Sequence, residues 1–350
     1  MTEDGAISGH QLPTGDGDRS AALLFDVIGY ARRCSARLPQ RWDRRARDLA
    51  KVIVNYRGAR RAFPRQLLYP LLRRSSGALL VPFGRAQLLI PTDDFEISRV
   101  VFATGGYERL YMARAVEELA RLGFRSAGRT FVDIGANIGT STVDALVEFG
   151  FARAVCFEPE MRNFRLLTAN VALNGLEDRV RAFPAALSDK PGVSLLETSV
   201  TNRGDNRIVT SDLSRRDGDE NIVEIECRRF DDLVDDGSIA LDEVGLIWLD
   251  AQGHEPLVLE GAGQAMAAGV PIVMEYSPAA LQASGTLDAL EATIREHYTT
   301  VIDLHRLSAG LGNDAVLKAA DISRLREMAG RDHTDLLLVR SCTTGHTSGR

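Results

Sequence analysis

Arg129–Val143 reads R-T-F-V-D-I-G-A-N-I-G-T-S-T-V, and the fold is decided in this stretch. Thr130 to Ile134 is β-branched or aromatic except for Asp133, the composition of a buried strand. Gly135, Ala136, Asn137 and Gly139 follow as a small, permissive turn, and Thr140 to Phe149 has helical spacing. Strand, glycine turn and helix start together make a nucleotide site. Backbone approaches a ligand closely where there is no Cβ, and N–H groups at a helix start point at it.

Strand and helix signals alternate on the C-terminal side of this unit. Ala152 to Phe157 reads as a strand, Glu160 to Asn174 as an amphipathic helix stopped by Gly175, and Val180 to Ala186 as a strand. Gly192 to Ile225 breaks the rhythm with V-S-L-L-E and I-V-E-I-E around the polar loop T-N-R-G-D-N-R, which reads as a β insertion. Gly245 to Asp250 (strand), Glu255 to Ala267 (helix) and Val270 to Tyr276 (strand) resume it, with helices to His297. Thr300 to Leu304 and Asp335 to Arg340 close the sheet. Such alternation predicts an α/β fold built on a mostly parallel, doubly wound sheet. On the N-terminal side, Ala78 to Pro91 reads as two short strands around Phe83–Arg85, and Asp94 to Leu122 as mostly helical, with G-G-Y-E at Gly105 to Glu108.

The front of the chain is different. Residues 1–18 have the composition of a disordered start. Residues 19–77 read as a basic helical extension broken by Pro39, Pro64 and Pro70. Its arginines fit either solvated helical faces or a surface for an anionic partner, including peripheral contact with membrane headgroups. The main domain is expected over residues 78–340, with a loose tail at 341–350. A net charge of -6 over 350 residues argues against wholesale nucleic-acid binding. The four cysteines, Cys34, Cys156, Cys227 and Cys342, show no C-x-x-C spacing, so neither a zinc site nor a redox motif is expected, and no metal. There is no signal-peptide pattern and no transmembrane run, so a cytoplasmic protein is expected.

Open α/β sheets bind ligands beyond the carboxyl ends of their strands, so polar residues there are the candidates. Asp133 precedes the turn. Against G-x-G-x-x-G the matching positions are Gly135, Asn137 and Thr140, so two glycines are missing, and an acid there suits a ligand carrying an ammonium group better than a pyrophosphate. Glu158, in F-E-P, lies where a carboxylate meets ribose hydroxyls. In W-L-D-A-Q-G-H-E, Asp250 is expected beside the first site. His254, opening the next helix, reads equally as a base for a hydroxyl proton or as a helix-start residue. Glu275, in E-Y, is a cleft acid or a structural one.

F-V-D-I-G-A-N-I-G, F-E-P with N-F-R-L-L-x-x-N-x-x-L-N-G, A-L-S-D-K-x-G and W-L-D-A-Q-G-H-E-P-L-V-L-E-G-A together resemble the FkbM-type S-adenosylmethionine-dependent methyltransferases. The resemblance runs from about Phe83 to Val339. It implies a Rossmann-like, seven-stranded sheet with an antiparallel last strand. It implies that the Asp133–Gly139 turn (Asp133, Gly135, Ala136, Asn137, Gly139) holds the methionine end of S-adenosyl-L-methionine, that Glu158 takes the ribose, and that backbone around Ala186 and Leu187, with Ser188 or Asp189 nearby, lines the adenine. The family's usual D-V-E-G is here D-A-Q-G, which counts against a metal. The implied chemistry is O-methylation of a hydroxyl on a sugar, lipid or secondary-metabolite acceptor, with His254 and Asp250 as candidate proton acceptors. Acceptor contacts are expected from Thr198 to Asn206 and from the segment before Gly105. Two other readings remain: a nicotinamide-dependent oxidoreductase, and a non-catalytic binding protein of the same fold.

Overall fold

The computed structural model describes residues 65, 68–72, 77–199, 202–209, 221–329 and 333–340. The expected disordered start, most of the expected helical extension and the tail after residue 340 lie outside them.

A hairpin comes first. β1 (Ala78–Phe83) and β2 (Ala86–Pro91) pair antiparallel. Two helices follow, α1 (Ile97–Thr104) and α2 (Arg109–Arg121), separated by the G-G-Y-E segment. The central unit is β3 (Thr130–Ile134), α3 (Thr140–Val147), β4 (Arg153–Phe157), α4 (Met161–Leu173) and β5 (Val180–Phe183). Period-two alternation divides β3 between two cores: Val132 and Ile134 join one, Phe131 the other. All five residues of β3 are buried, as are all six of β10 (Val244–Leu249). Strands covered on both faces account for the near-continuous apolar runs in the sequence.

The edge of β2 is closed by side chains. Asn170 Oδ1 accepts from Leu89 N at 2.6 Å, and its Nδ2 donates to Leu89 O at 3.2 Å. Asn174 does the same to Gln87, at 3.0 and 2.7 Å. Four-residue spacing puts both amides on one face at the end of α4, where each mimics a ladder partner.

The main sheet has eight strands in the order β13-β12-β14-β11-β10-β3-β4-β5. Here β11 is Ile272–Tyr276, β12 is Thr300–Asp303, β13 is Val316–Lys318 and β14 is Thr334–Val339. β11, β10, β3, β4 and β5 run parallel, and β14 runs antiparallel between β11 and β12. The resemblance implied seven strands. The eighth, β13, is a three-residue edge strand against β12, too short to register as a period in sequence.

A second departure is at Val180–Ala186, expected as one strand. It ends at Phe183, and β6 (Ala186–Leu187) belongs to another sheet. Pro184 lies between them and has no N–H to continue a ladder. The second sheet has the order β6-β9-β7-β8, with β7 at Gly192–Glu197, β8 at Arg207–Val209 and β9 at Ile222–Arg228. This is the expected β insertion. After it come α5 (Phe230–Asp235) and β10, then α6 (Glu255–Glu260) and α7 (Gly263–Ala267) where one helix was expected. The break is at Gly261, where a Cβ would fall on the Ser188 carbonyl oxygen. Finally α8 (Pro278–Ser284), α9 (Leu287–His297) and α10 (Leu304–Ser308) cover the β11–β14 side.

From β3 the chain runs outward to β4 and β5, then returns to β10 on the other side. The switch point is therefore between β3 and β10, and the strand ends there are where open α/β sheets bind ligands.

Candidate functional site

The glycine turn abuts the end of β10. Asp250 N donates to Ile134 O at 3.0 Å, and a Cβ on Gly135 would fall on the Asp250 carbonyl oxygen. Gly135 also has φ +86, so both contact and conformation require glycine. Among the described residues, the three non-glycine positions with positive φ are Glu108, Asn137 and Gln252. Asn137 is in this turn, Gln252 in the loop after β10, and Glu108 just before α2. Strained backbone concentrates at functional sites.

The turn's amides are engaged within the protein. Gly135 N and Ala136 N donate to Phe157 O at 2.9 and 3.0 Å, Asn137 N to Glu158 Oε2 at 2.8 Å, Ile138 N to Asn137 Oδ1 at 2.8 Å and Gly139 N to Ala136 O at 2.8 Å. What residues 135–139 present outward is therefore a side-chain-poor backbone surface, as the turn's composition leads one to expect.

Asp133 lies beneath that surface and is 1% exposed. Its Oδ2 accepts from Thr142 Oγ1 at 2.5 Å, tying β3 to α3. Burial pushes its carboxyl up to about 7, against the Thr142 bonds, with Asp250 pushing further up. Thr142 Oγ1 also contacts the buried Cys156 thiol at 3.1 Å.

Glu158 is buried at the end of β4. Besides Asn137 N, its carboxylate accepts Glu160 N at 2.9 Å. Burial raises its pKa to about 8, opposed by those two N–H groups and by Asn163. Ala186 and Leu187 form the short strand β6. They pair with Cys227 and Arg228 of β9, and their side chains are buried. Their backbone is thus partly engaged in the second sheet.

His254 was read as a ring reaching into the cleft or as a helix-start residue. It precedes α6, and no side-chain cap bond forms. The ring is buried, with Nε2 2.9 Å from Ser188 Oγ. Burial lowers its pKa to about 4, with Asp189 pulling the other way, so the imidazole is neutral at pH 7. Its Nε2 is thus engaged by Ser188 within the fold.

Asp250, in contrast, joins a group of acids. Asp250, Glu255 and Glu275 each present an oxygen within 4.8 Å of the others. Gln252 Nε2 bridges two of them, donating to Asp250 Oδ1 at 2.6 Å and Glu275 Oε2 at 2.9 Å. Glu255 accepts Ala251 N and Gly253 N, each at 2.9 Å. Burial pushes Asp250 to about 6, Glu255 to about 7 and Glu275 to about 9, with neighbouring carboxylates adding to each. Glu108, at the mouth of α2, is raised by burial and by Asp335, Asp250 and Glu275. These three carboxylates are the group that could hold a cation among the described residues. The Gln252 amide supplies the N–H donors that hold Asp250 and Glu275 side by side.

Two histidines border the acids. His305 Nε2 is 2.9 Å from Asp335 Oδ2, and its ring stacks on Tyr111 with centroids 4.2 Å apart. His333 Nδ1 is 3.9 Å from Glu275 Oε1. Sequence reasoning had passed over Glu108, His305 and Asp335. Of these, only Glu108 carried a signal, in the G-G-Y-E that interrupts two helices.

Residues 133–299 match the family model described as the methyltransferase FkbM domain. That stretch of the chain is thus similar to FkbM methyltransferase domains. The match begins at Asp133 and takes in the glycine turn, Glu158, the insertion and the Asp250–Glu275 acids. The chain is also 31% identical over 162 residues to a 2-O-methyltransferase, NoeI, of Sinorhizobium fredii, covering 42% of this chain and 62% of that protein. It thus spans less than two thirds of the curated relative's length. Among solved structures, it resembles an FkbM methyltransferase of Methylobacillus flagellatus at 17% identity and a TM-score of 0.36, over 60% of this chain and 43% of that one. A TYW2 structure from P. horikoshii in complex with MeSAdo matches at 13% identity and a TM-score of 0.34, over 76% of this chain and 72% of that one.

Proposed function

We propose that the protein is an S-adenosylmethionine-dependent O-methyltransferase acting on a hydroxyl of a small, uncharged or cationic acceptor, such as a sugar. The observation that carries this reading is the meeting of the glycine turn, Glu158 and the Asp250 acids around the β3/β10 switch point, within the stretch similar to FkbM domains. The domain is taken to run over residues 78–340.

The donor set suits the cofactor's chemistry. A sulfonium and an ammonium are cations, and of the acids grouped here Asp250, at about 6, is the one ionised at neutral pH. In this reading Gly135, Ala136, Asn137 and Gly139 form the surface against which the methionine end rests, and Asp133 supports them from below through Thr142. Glu158 takes ribose hydroxyls on the carboxylate edge that Asn137 N and Glu160 N leave open. Backbone beside Ala186 and Leu187, with Ser188, borders the adenine. S-adenosylmethionine supplies an already activated methyl group, so the protein's tasks are alignment of the acceptor and removal of one proton.

Asp250 is the favoured proton acceptor. Its carboxyl, at about 6, is ionised at neutral pH and basic enough to take a proton late in the transfer. Gln252 fixes its orientation. His254 serves here as a packing residue beside Ser188. The ionised Asp250 also bears on the acceptor class, since it accepts a hydroxyl proton and repels an anion.

Calorimetry with S-adenosylhomocysteine tests the cofactor half of the reading. The native chain should bind in the micromolar range. Glu158→Gln should weaken binding by about tenfold, roughly 1.4 kcal/mol, with its melting curve preserved. Equal affinity in both proteins would remove Glu158 from the site. Binding of NAD instead would favour the oxidoreductase reading.

A further inference from the structure

We infer that the insertion loop 202–206 is a gate on the cofactor site, held shut by a latch centred on Asp93. This rests on the cofactor reading above.

The catch is a pair of amides. Arg203 O accepts from Asn137 Nδ2 at 3.0 Å and from Asn163 Nδ2 at 3.2 Å. Asn137 belongs to the glycine turn and Asn163 to the first turn of α4, so the two flank Glu158. A ligand reaching Glu158 from this side meets residue 203. The latch is ionic. Arg203 Nη2 is 2.9 Å from Asp93 Oδ2, while Arg162 takes both oxygens of the same carboxylate at 2.8 and 3.0 Å. Asp93, in the link between β2 and α1, thus holds one guanidinium from the insertion and one from α4. A third hold is steric: a Cβ on Gly204 would stand 2.9 Å from Ile97 Cδ1, so the loop backbone lies directly on α1.

The closed arrangement is also incompletely satisfied. Asn163 Oδ1 and Arg203 Nε are buried without a hydrogen-bond partner. Buried polar atoms are seldom left so, and each is costly. The segment is kept in place by side chains and one carbonyl, not by a β ladder, and such segments open locally at low free energy. Opening would return Arg203 Nε to water and clear the way to Glu158, and closure over a bound ligand remakes both the amide bonds to Arg203 O and the Asp93 pairs. A latch that closes equally over the empty and filled site slows exchange in both directions without changing affinity.

Stopped-flow binding of S-adenosylhomocysteine to the full chain, Asp93→Ala, Arg203→Ala and the double variant tests this. Both single variants should raise the association and dissociation rates together, by about fivefold (roughly 1 kcal/mol), with Kd changed by less than about twofold. Because Asp93→Ala already releases Arg203, the double variant should be no faster than Asp93→Ala alone. Unchanged rates overturn the gate. So does a rise in dissociation alone, which would make these residues ligand contacts, and so do additive effects in the double variant. If the native chain fails to bind the probe at all, the cofactor reading falls and takes the gate with it.

Discussion

Gln252 holds two carboxylates together with one nitrogen, and this small arrangement has a consequence for pH. Glu275 titrates near 9 in the folded protein against an ordinary 4.5, because burial and the charges of Asp250, Glu255 and Asp335 disfavour its anion. Its folded pKa is raised, so its favourable contribution is complete below about pH 4.5 and is lost as pH climbs towards 9. Glu275→Gln keeps an acceptor for Gln252 but cannot ionise. The variant should therefore gain stability relative to the native protein as pH rises from 5 to 9. The limiting slope for one proton is about 1.4 kcal/mol per pH unit, softened here by the coupling among the acids. Urea midpoints at pH 5, 7 and 9 measure it, and a difference independent of pH would show that Glu275 is not protonated in the fold. Asp133 and Glu158 share the same main cause of perturbation, burial, and each is opposed by hydrogen-bond donors that favour its anion.

Elements meet at this site through glycine. Gly135 permits the β3 turn to touch the β10 loop, and its φ of +86 lies in the region L side chains avoid. Gly123 has a nearly identical φ, +85, but nothing lies within 4 Å of where its Cβ would stand. The two positions separate strain from contact. Gly123→Ala should cost about 1 kcal/mol, the conformational term alone. Gly135→Ala should cost about 2–5 kcal/mol, since the backbone of residue 250 must also move. Chemical denaturation of both variants decides it; similar losses would mean that the close approach is unimportant. The same local logic explains the split at Pro184. A missing N–H ends β5, and the chain crosses to the second sheet.

At the scale of the whole molecule, the parallel strands end on one side of the sheet, and ligand binding at the switch point there should stabilise the fold by mass action. S-adenosylhomocysteine at 100 times its Kd should add roughly 2.7 kcal/mol, a melting shift of several degrees for a chain of this size. NAD at equal concentration should give none. A shift with NAD alone would reassign the site. Among the described residues, no helix is long and apolar enough to cross a membrane.

Arg129–Val143 was sufficient to locate the sheet's centre, because a strand covered on both faces and a glycine turn each leave a local imprint: apolar residues in sequence, and absent side chains. The acids at strand ends were legible for the same reason, since position along a strand fixes which end of the sheet a residue reaches. Roles within the site were not legible. His254 and Asp250 are four residues apart in one motif, yet burial turns the first to Ser188 and the second to Gln252 and Glu275. Asp93, Arg162 and Arg203 are far apart in sequence and become one ion-pair group only when the insertion folds back. The eighth strand was too short to leave a period, and His305 met Asp335 only through the antiparallel arrangement of β12 and β14. Local composition determines which segments form strands, turns and helices. Desolvation and hydrogen-bond partnership, which set the charge and direction of each polar group, arise from residues distant in the chain, and only tertiary structure decides them.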